Sequence, residues 1–513
     1  MENTTVPNNI PTEQVVELKK RIAELEALVK YYEEQFRLAK HRQFGVSSEK
    51  SEYDICQLNM FNEAETASDI NTAEPELSEI KGHYRKRKRL TNDSLPEDIP
   101  VETVEYELTD IECVCPECGG NMHVMGHDSR KELVIIPAQV KIREHRQAVY
   151  SCRRCENNSD HTPILKASVP ESVIRGSFAS PEAIAHIMVQ KYVMGVPLYR
   201  QEQEWNRNGI MLSRQTMSNW LIKAAGDWLE PIYERLKTLM LQRDVLHADE
   251  TTLQVLNERG KSAQSKSYMW LYRTGGDAER SIVLYEYKPD RSSRHPESFL
   301  KGFKGYLHAD GYEGYRKLSE HITVIGCWAH MRRKFDEALK ILPEKDREVS
   351  YAMRGKRLCD KLFELEHSFV CMPPTERFSK RQEKSKPLVD EFFTWAATVN
   401  APPKTALGKA IHYAISQRLY LERFLLDGRL EICNNRAERS IKPFVIGRKN
   451  WLFSNTPKGA KASSVIYSII ETAKENGVNP FHFLVYIFYN APNLNLKNSN
   501  DADILLPWNT ILS

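Results

Sequence analysis

Apolar residues recur every three or four positions near the start of the chain and in short β-rich runs near its middle. The first pattern predicts helices and the second predicts strands. One helical seam, with Glu and Lys at its outer positions, is formed by Val15, Leu18, Ile22, Leu25, Val29, Tyr32 and Phe36. It predicts a leucine-zipper-like helix within residues 1–50 that self-associates. The alternative is an ordinary amphipathic helix docked on its own domain.

Residues 51–105 lack such a pattern and predict a linker, acidic at first and then basic. The basic part is one uninterrupted run, namely Arg85, Lys86, Arg87, Lys88 and Arg89. A run of this kind is typical of a solvated arm, and beside DNA it is typical of an arm that binds phosphates. Both interpretations stay open from the sequence.

Residues 106–165 carry two CxxC pairs with alternating, strand-like residues between them. The first pair is Cys115 and Cys118 in CPECGG, and the second is Cys152 and Cys155 in CRRCE. Four thiolates in this arrangement suit one tetrahedral Zn²⁺ ion, so we expect a structural zinc ribbon. A redox motif is disfavoured because no thioredoxin-like βαβ pattern surrounds the pairs.

Residues 166–240 predict a helical domain. Ser180 followed by Pro181 is typical of a helix start. Further on, GIMLSRQTMSNWLIKAAG predicts a turn, a cap and a helix, similar to the second half of a helix-turn-helix. If this segment is the second half of a helix-turn-helix, Arg214 is expected to face a DNA groove. Plain helical packing is the alternative.

The next region predicts three antiparallel strands, a helix, a fourth strand, a further helix, and a fifth strand running into a helix. This order is the layout of a ribonuclease-H-like fold. Asp249 lies in the first strand and Asp310 follows the fourth, so we expect the two to meet at neighbouring positions of the sheet. Glu438 lies in a basic helical stretch. Three such carboxylates suit paired Mg²⁺ ions, which prefer oxygen ligands and promote phosphodiester chemistry.

Composition adds only broad bounds. A chain of 513 residues predicts several domains, here a multidomain α+β protein. The net charge of +3 does not by itself indicate a nucleic-acid partner. No run is apolar enough to predict a membrane span, and no signal peptide is evident, so we expect a cytoplasmic protein.

Taken together, the motifs resemble the insertion-sequence-66 family of bacterial transposases, which belong to the DDE type. The matching segments extend along nearly the whole chain, and they are FGVSSEK, CPECGG with CRRCE, HADETTLQVL, LHADGYEGY, CWAHMRRKF and NNRAERSIKPFVIGRKNWLFSN. The resemblance implies that Asp249, Asp310 and Glu438 bind two Mg²⁺ (or Mn²⁺) ions. Asp310 follows Asp249 by 61 residues, and Glu438 follows Asp310 by 128. We assign that long second gap to a helical insertion at 345–425.

The implied reaction is hydrolysis at an element end, which exposes a 3′ hydroxyl, followed by attack of that hydroxyl on target DNA. The resemblance then implies double-stranded DNA as the substrate, and the nucleoid of the bacterial cytoplasm as the location. A homodimer or larger assembly is expected to hold two element ends together. The resemblance also implies two small accessory proteins from the same element. Residues expected to approach DNA or the active site are His330, Arg332, Arg333, Lys334, Arg436, Arg439, Lys442, Arg448 and Lys449.

Several local expectations accompany this assignment. Successive strand residues face opposite sides, and it is mainly the resemblance that favours Asp249 over Glu250. Glu438 is preferred over Glu431 because NNRAER matches the family. Asn434 and Asn435 are expected to cap the helix that carries Glu438.

Trp328 is expected to pack, and Cys327 and Cys433 are expected to be buried thiols without catalytic duty. Residues 241–344 and 426–490 form the expected catalytic domain. Residues 491–513 are expected to be a loosely ordered tail, from which Leu505, Leu506 and Trp508 could dock back onto the protein. Two other functions stay open, a ribonuclease-H-like nuclease or resolvase without strand transfer, and an inactive DNA-binding remnant.

Overall fold

A computed structural model describes residues 140–151 and 164–510. Residues 169–510 belong to one compact unit, and the preceding described residues belong to another. In that smaller unit, β1 (Val149–Ser151) and β2 (Ile164–Lys166) pair antiparallel. The predicted zipper helix, the predicted linker and the four cysteines expected to bind zinc lie outside the described residues.

Four helices open the larger unit, as the periodicity between residues 166 and 240 predicts. They are α1 (Pro181–Tyr192), α2 (Leu198–Arg207), α3 (Arg214–Ala224) and α4 (Glu230–Met240). The Ser180 hydroxyl accepts a hydrogen bond from the Ala183 N–H at 3.1 Å, which confirms the expected cap of α1.

A five-stranded mixed sheet follows. Its strands are β3 (Val245–Gln254), β4 (Lys266–Thr274), β5 (Val283–Lys288), β6 (Gly305–His308) and β7 (Ile322–Ile325). The order across the sheet is β5-β4-β3-β6-β7, with β3–β4 and β4–β5 antiparallel and β3–β6 and β6–β7 parallel. The first strand in sequence is therefore central and lies beside the fourth, as the pattern predicts.

The connections around β6 are short. Helix α5 (Arg294–Phe299) precedes β6, and a 3₁₀ turn (Glu313–Lys317) follows it in place of the further helix that we expected. Its residue Tyr315 is buried against Trp270 of β4, with ring centroids 6.1 Å apart. Aromatic packing on this face of the sheet therefore holds the turn.

After β7 the chain becomes entirely helical. Helix α6 (Trp328–Ile341) leads into the segment where we expected an insertion, and the helices there are α7 (Glu344–Arg347), α8 (Tyr351–Ser368), α9 (Pro374–Lys380), α10 (Lys386–Thr398) and α11 (Ala406–Glu422). Trp328 is fully buried, and its indole N–H donates to the Leu421 carbonyl at 2.8 Å, so the expectation that it packs is confirmed.

A buried arginine ties these helices to the chain that leads toward Glu438. Arg381 donates to the Glu366 carboxylate at 2.6 Å, to the Phe424 carbonyl at 3.0 Å and to the Leu430 carbonyl at 2.8 Å. A buried guanidinium is stable only when its donors are satisfied in this way. These hydrogen bonds thus attach the helical segment to residues that precede the helix carrying Glu438.

Four further helices complete the unit, namely α12 (Asn435–Trp451), α13 (Pro457–Glu475), α14 (Pro480–Asn490) and α15 (Ser499–Ile504). Residues 491–510 are ordered rather than a loose tail, and the docking of Leu505 and Leu506 that the sequence suggested is present. Leu505 and Leu506 are buried, and Asp503 pairs with Arg235 of α4 at 2.7 Å. Burial of the two leucines outweighs the polarity of the surrounding sequence. Among the described residues, no helix combines the length and apolar character needed to cross a bilayer.

Candidate active site

Three acidic residues from distant parts of the chain converge beside the middle of the sheet. Asp249 lies in β3, Asp310 lies two residues after the end of β6, and Glu438 lies in the first turn of α12. The parallel pairing of β3 with β6 places the first two on neighbouring strands. Helix α12 packs against β3 and so brings the third acid to them.

The charges of these acids act on one another. Burial raises the pKa of Asp249 well above its usual range, and the nearby carboxylates of Glu250, Asp310 and Glu438 raise it further. One backbone hydrogen bond, from the Glu250 N–H at 2.8 Å, opposes this effect. Mutual repulsion of this kind is relieved by a bound cation, so the cluster suits divalent metal ions.

Glu250 points to the other face of the strand, although its charge still acts on Asp249 and Asp310. Its carboxylate accepts hydrogen bonds from the Tyr315 hydroxyl at 2.7 Å and from Arg291 Nε at 2.8 Å. Its side chain is only 1% exposed. Because the Glu250 carboxylate is already hydrogen-bonded to these two residues, Asp249 is the better candidate for a metal ligand.

The Glu431 carboxylate likewise already has a partner. Its carboxylate pairs with Arg436 Nε at 2.7 Å. Glu438, in contrast, has a buried Oε1 atom without a hydrogen-bond partner. That unpartnered oxygen favours Glu438 over Glu431 as the third acid.

Two histidines that precede the aspartates were missed from the sequence. His247 and His308 stack in the buried sheet with ring centroids 4.3 Å apart and ring planes 11° apart. Burial lowers the pKa of His247 to about 3 and that of His308 well below its usual value. Both rings are therefore neutral at pH 7. The repeated HAD motif was the signal that could have revealed them.

Asn434 links this histidine pair to the helix of the third acid. Its Nδ2 donates to the Ala248 carbonyl at 2.8 Å, so its Oδ1 is the acceptor that faces His247 Nδ1 at 3.0 Å. His247 must then carry its proton on Nδ1. The expectation that this side chain caps α12 is wrong, because both of its polar atoms are used by β3. Asn435 is already the first helical residue.

The basic residues expected near the acids differ in their surroundings. Arg333 Nη2 lies 3.6 Å from Glu438 Oε2, and His330 Nδ1 lies 3.7 Å from Glu438 Oε1. Burial lowers the pKa of His330, but the neighbouring Cys327 sulfur and Glu438 outweigh it and raise the value to about 9. Arg332 instead pairs with Asp360 of α8, and Lys334 lies over the Tyr413 ring, which turns both toward the helical segment.

Along α12 the remaining cations lie at different depths. Arg448 is half-buried and donates to the Thr252 hydroxyl at 3.2 Å, and Lys442 is also half-buried. Arg439 and Lys449 are exposed. Arg214, at the start of α3, is exposed and lies 3.9 Å from Glu202. Their DNA contacts remain predictions, and Arg85 to Arg89 lie outside the described residues.

Arg291 is a further residue that the sequence did not single out. It bonds to Glu250, and its Nη2 lies 4.0 Å from Asp310 Oδ2 while its guanidinium lies over the Tyr312 ring. It therefore borders the acidic cluster from the side of β6. Acidic oxygens for cations and basic groups for phosphates thus occur together, which suits phosphodiester chemistry.

Comparison with protein families gives four matches along the chain. Residues 176–462 match "Transposase IS66 family", and residues 112–156 match "zinc-finger binding domain of transposase IS66". Residues 31–104 match "Transposase C of IS166 homeodomain", and residues 468–508 match "IS66 C-terminal element".

Similar curated proteins come from Sinorhizobium fredii (strain NBRC 101917 / NGR234). Uncharacterized protein y4qI is 30% identical over 95% of this chain and 89% of its own length. Uncharacterized protein y4jD is 29% identical over 81% of each chain. These relatives share the overall extent of the chain, and their names carry no activity.

Proposed function

This chain belongs to the IS66 transposase family, and we propose that it binds the ends of its element and catalyses both DNA strand cleavage and strand transfer. Family membership supports a transposase that contacts DNA and uses divalent metal ions. The observation that carries the finer proposal is the convergence of Asp249, Asp310 and Glu438, with the pKa of Asp249 raised by burial and by its acidic neighbours.

The catalytic fold that we propose is ribonuclease-H-like. The strand order β5-β4-β3-β6-β7, with three antiparallel strands followed by two parallel ones, supports this assignment. So does the position of the acids, because one lies in the central strand and another follows its parallel neighbour. The third reaches the same place from a helix that packs on the central strand.

Asp249, Asp310 and Glu438 are the residues that would hold two Mg²⁺ or Mn²⁺ ions. Such ions, when bound, activate an attacking oxygen and stabilise a leaving oxygen on phosphorus. The buried, unpartnered Oε1 of Glu438 and the repulsion at Asp249 fit this donor set. Carboxylate oxygens are also the ligands that these hard cations prefer.

The protein's own groups would position the DNA strand. Arg333 and Arg291 border the acids, and Arg439 and Lys449 extend the positive surface along α12. Arg436 pairs with Glu431, which sets the position of that side chain at the start of the helix. No covalent bond between protein and DNA is required, since a DNA 3′ hydroxyl carries out the second step.

Two element ends must be held together for accurate joining. We therefore propose a homodimer or larger assembly, with the N-terminal zipper as its contact and with two accessory proteins of the same element as partners. The structural Zn²⁺ would be held by Cys115, Cys118, Cys152 and Cys155. The family match over residues 112–156 supports a zinc-binding domain there.

The test is a cleavage and joining assay on labelled element ends with Mg²⁺ present or chelated. Asp249→Ala, Asp310→Ala and Glu438→Ala are each expected to lose cleavage by at least about 1,000-fold while keeping end binding. Glu431→Gln is the matched control, because its carboxylate is paired with Arg436, and it is expected to keep cleaving. Retained cleavage by any of the three alanine variants removes that residue from the proposed site.

The same assay separates the two alternatives. Cut ends without joined products favour a nuclease or resolvase. Binding without cutting, in the unaltered protein with Mg²⁺, favours an inactive remnant.

A further inference from the structure

A second group of potential metal ligands lies beside the acidic cluster and shares one member with it. Cys327 immediately precedes α6, His330 lies in the first turn of that helix, and Glu438 faces them from α12. One ligand atom from each residue lies within 4.8 Å of the other two. Cys327 is buried, and the other two side chains are 27% and 23% exposed.

Two of the three polar atoms in this group lack a hydrogen-bond partner. His330 Nδ1 and Glu438 Oε1 are both buried without a hydrogen bond, although they lie only 3.7 Å apart. Cys327 Sγ accepts a hydrogen bond from the Asn434 N–H at 3.2 Å. The sulfur also lies at the start of α6. A cation between the three atoms would satisfy all of them.

The donor types select the ion. One sulfur, one imidazole nitrogen and one carboxylate oxygen form a mixed set that Zn²⁺ and Co²⁺ accept, whereas Mg²⁺ prefers oxygen alone. Around a tetrahedral Zn²⁺, ligand atoms are roughly 3.4–3.6 Å apart. The separation of 3.7 Å between His330 and Glu438 is close to this value. The Cys-x2-His spacing at a helix start also brings both residues to one ion.

We propose that Cys327, His330 and Glu438 form a binding site for a thiophilic divalent ion such as Zn²⁺, with the fourth position open. On binding, the Cys327 thiol and the His330 imidazolium each lose one proton to solvent, so that the sulfur becomes a thiolate ligand and the imidazole a neutral one. Glu438 then cannot bind Mg²⁺ together with Asp249 and Asp310 in the same way. Zn²⁺ at this site would therefore compete with the Mg²⁺-dependent reaction, a consequence that rests on the proposed function.

The metal content of the full-length protein tests the site without reference to DNA cleavage. Wild type and variants are equilibrated with excess Zn²⁺, freed of loosely bound metal by gel filtration, and analysed by elemental mass spectrometry. Cys327→Ser and His330→Gln are each expected to hold one Zn²⁺ per chain fewer than wild type. Cys359→Ser, which removes another buried thiol, is expected to hold the wild-type number.

Several outcomes decide the question. Equal zinc content in wild type, Cys327→Ser and His330→Gln overturns the proposal, because the predicted ribbon then accounts for all the metal. If Cys327→Ser fails to fold, as judged by thermal unfolding, the His330→Gln comparison still decides. With Co²⁺ in place of Zn²⁺, the thiolate-to-cobalt absorption is expected to be weaker in Cys327→Ser than in Cys359→Ser. Inhibition of DNA cleavage by Zn²⁺ is measured in a separate assay. If the protein proves to have no cleavage activity, its zinc content still tests the proposed metal site.

Discussion

Replacing Asn434 with alanine should damage both the stability of the protein and the position of its third acid. The Asn434 side chain is buried and joins α12 to β3 through two hydrogen bonds, one to the Ala248 carbonyl and one with His247. It precedes Glu438 by four residues, which is about one helical turn. The alanine variant keeps the backbone but removes the link.

The magnitude follows from the groups that lose their partners. The His247 Nδ1–H and the Ala248 carbonyl both lie in fully buried residues. A buried donor or acceptor left without a partner costs about 1–3 kcal/mol. With two such groups, the free energy of unfolding should therefore fall by about 2–6 kcal/mol. A displacement of Glu438 by about 1 Å should also slow cleavage by about 100-fold.

Two measurements check these values. Urea unfolding followed by tryptophan fluorescence reports the change in stability, since Trp270 and Trp328 are buried in the same unit. Cleavage of labelled element ends in Mg²⁺ reports the position of Glu438, and a binding assay on the same DNA shows whether the fold persists. Asn435→Ala is the matched control, because the neighbouring residue is only half-buried.

An Asn434→Ala protein with stability within about 0.5 kcal/mol of wild type would refute the reasoning. It would mean that water or a rearranged side chain replaces both hydrogen bonds. An Asn435→Ala protein that is equally damaged would show that the start of α12, and not the link to β3, is responsible.

Two further predictions concern neighbouring residues. Glu250→Gln should keep Mg²⁺-dependent cleavage within about tenfold of wild type, whereas Asp249→Asn should lose it. The reason is that the Glu250 carboxylate bonds to Tyr315 and Arg291 on the other face of the strand. Equal loss of cleavage in both variants would make Glu250 a metal ligand. Acidification should destabilise wild type relative to His247→Phe, because His247 titrates near pH 6.5 when unfolded and near 3 when folded. The difference in unfolding free energy should change by about 1.4 kcal/mol per pH unit between pH 6 and 4, and a pH-independent difference would contradict a buried neutral His247.

The sequence alone predicted the strands of the sheet and singled out its candidate acids. Strand-like runs of fixed order predicted β3 to β7, and the two matching HAD motifs pointed to Asp249 and Asp310. The strand predictions hold because hydrophobic alternation and turn residues are local properties of the chain. The resemblance to the family, together with the alternation of faces along a strand, favours Asp249 over Glu250 from the sequence.

Only the tertiary structure decided which distant groups meet. Asn434 looks like a helix cap in sequence, but the docking of α12 brings its side chain to β3, 187 residues away. Arg332 looks like a DNA contact, but packing of α6 against α8 pairs it with Asp360. The Cys327–His330–Glu438 group arises for the same reason. Such contacts depend on strand register and helix docking, which the whole core sets and no local pattern records.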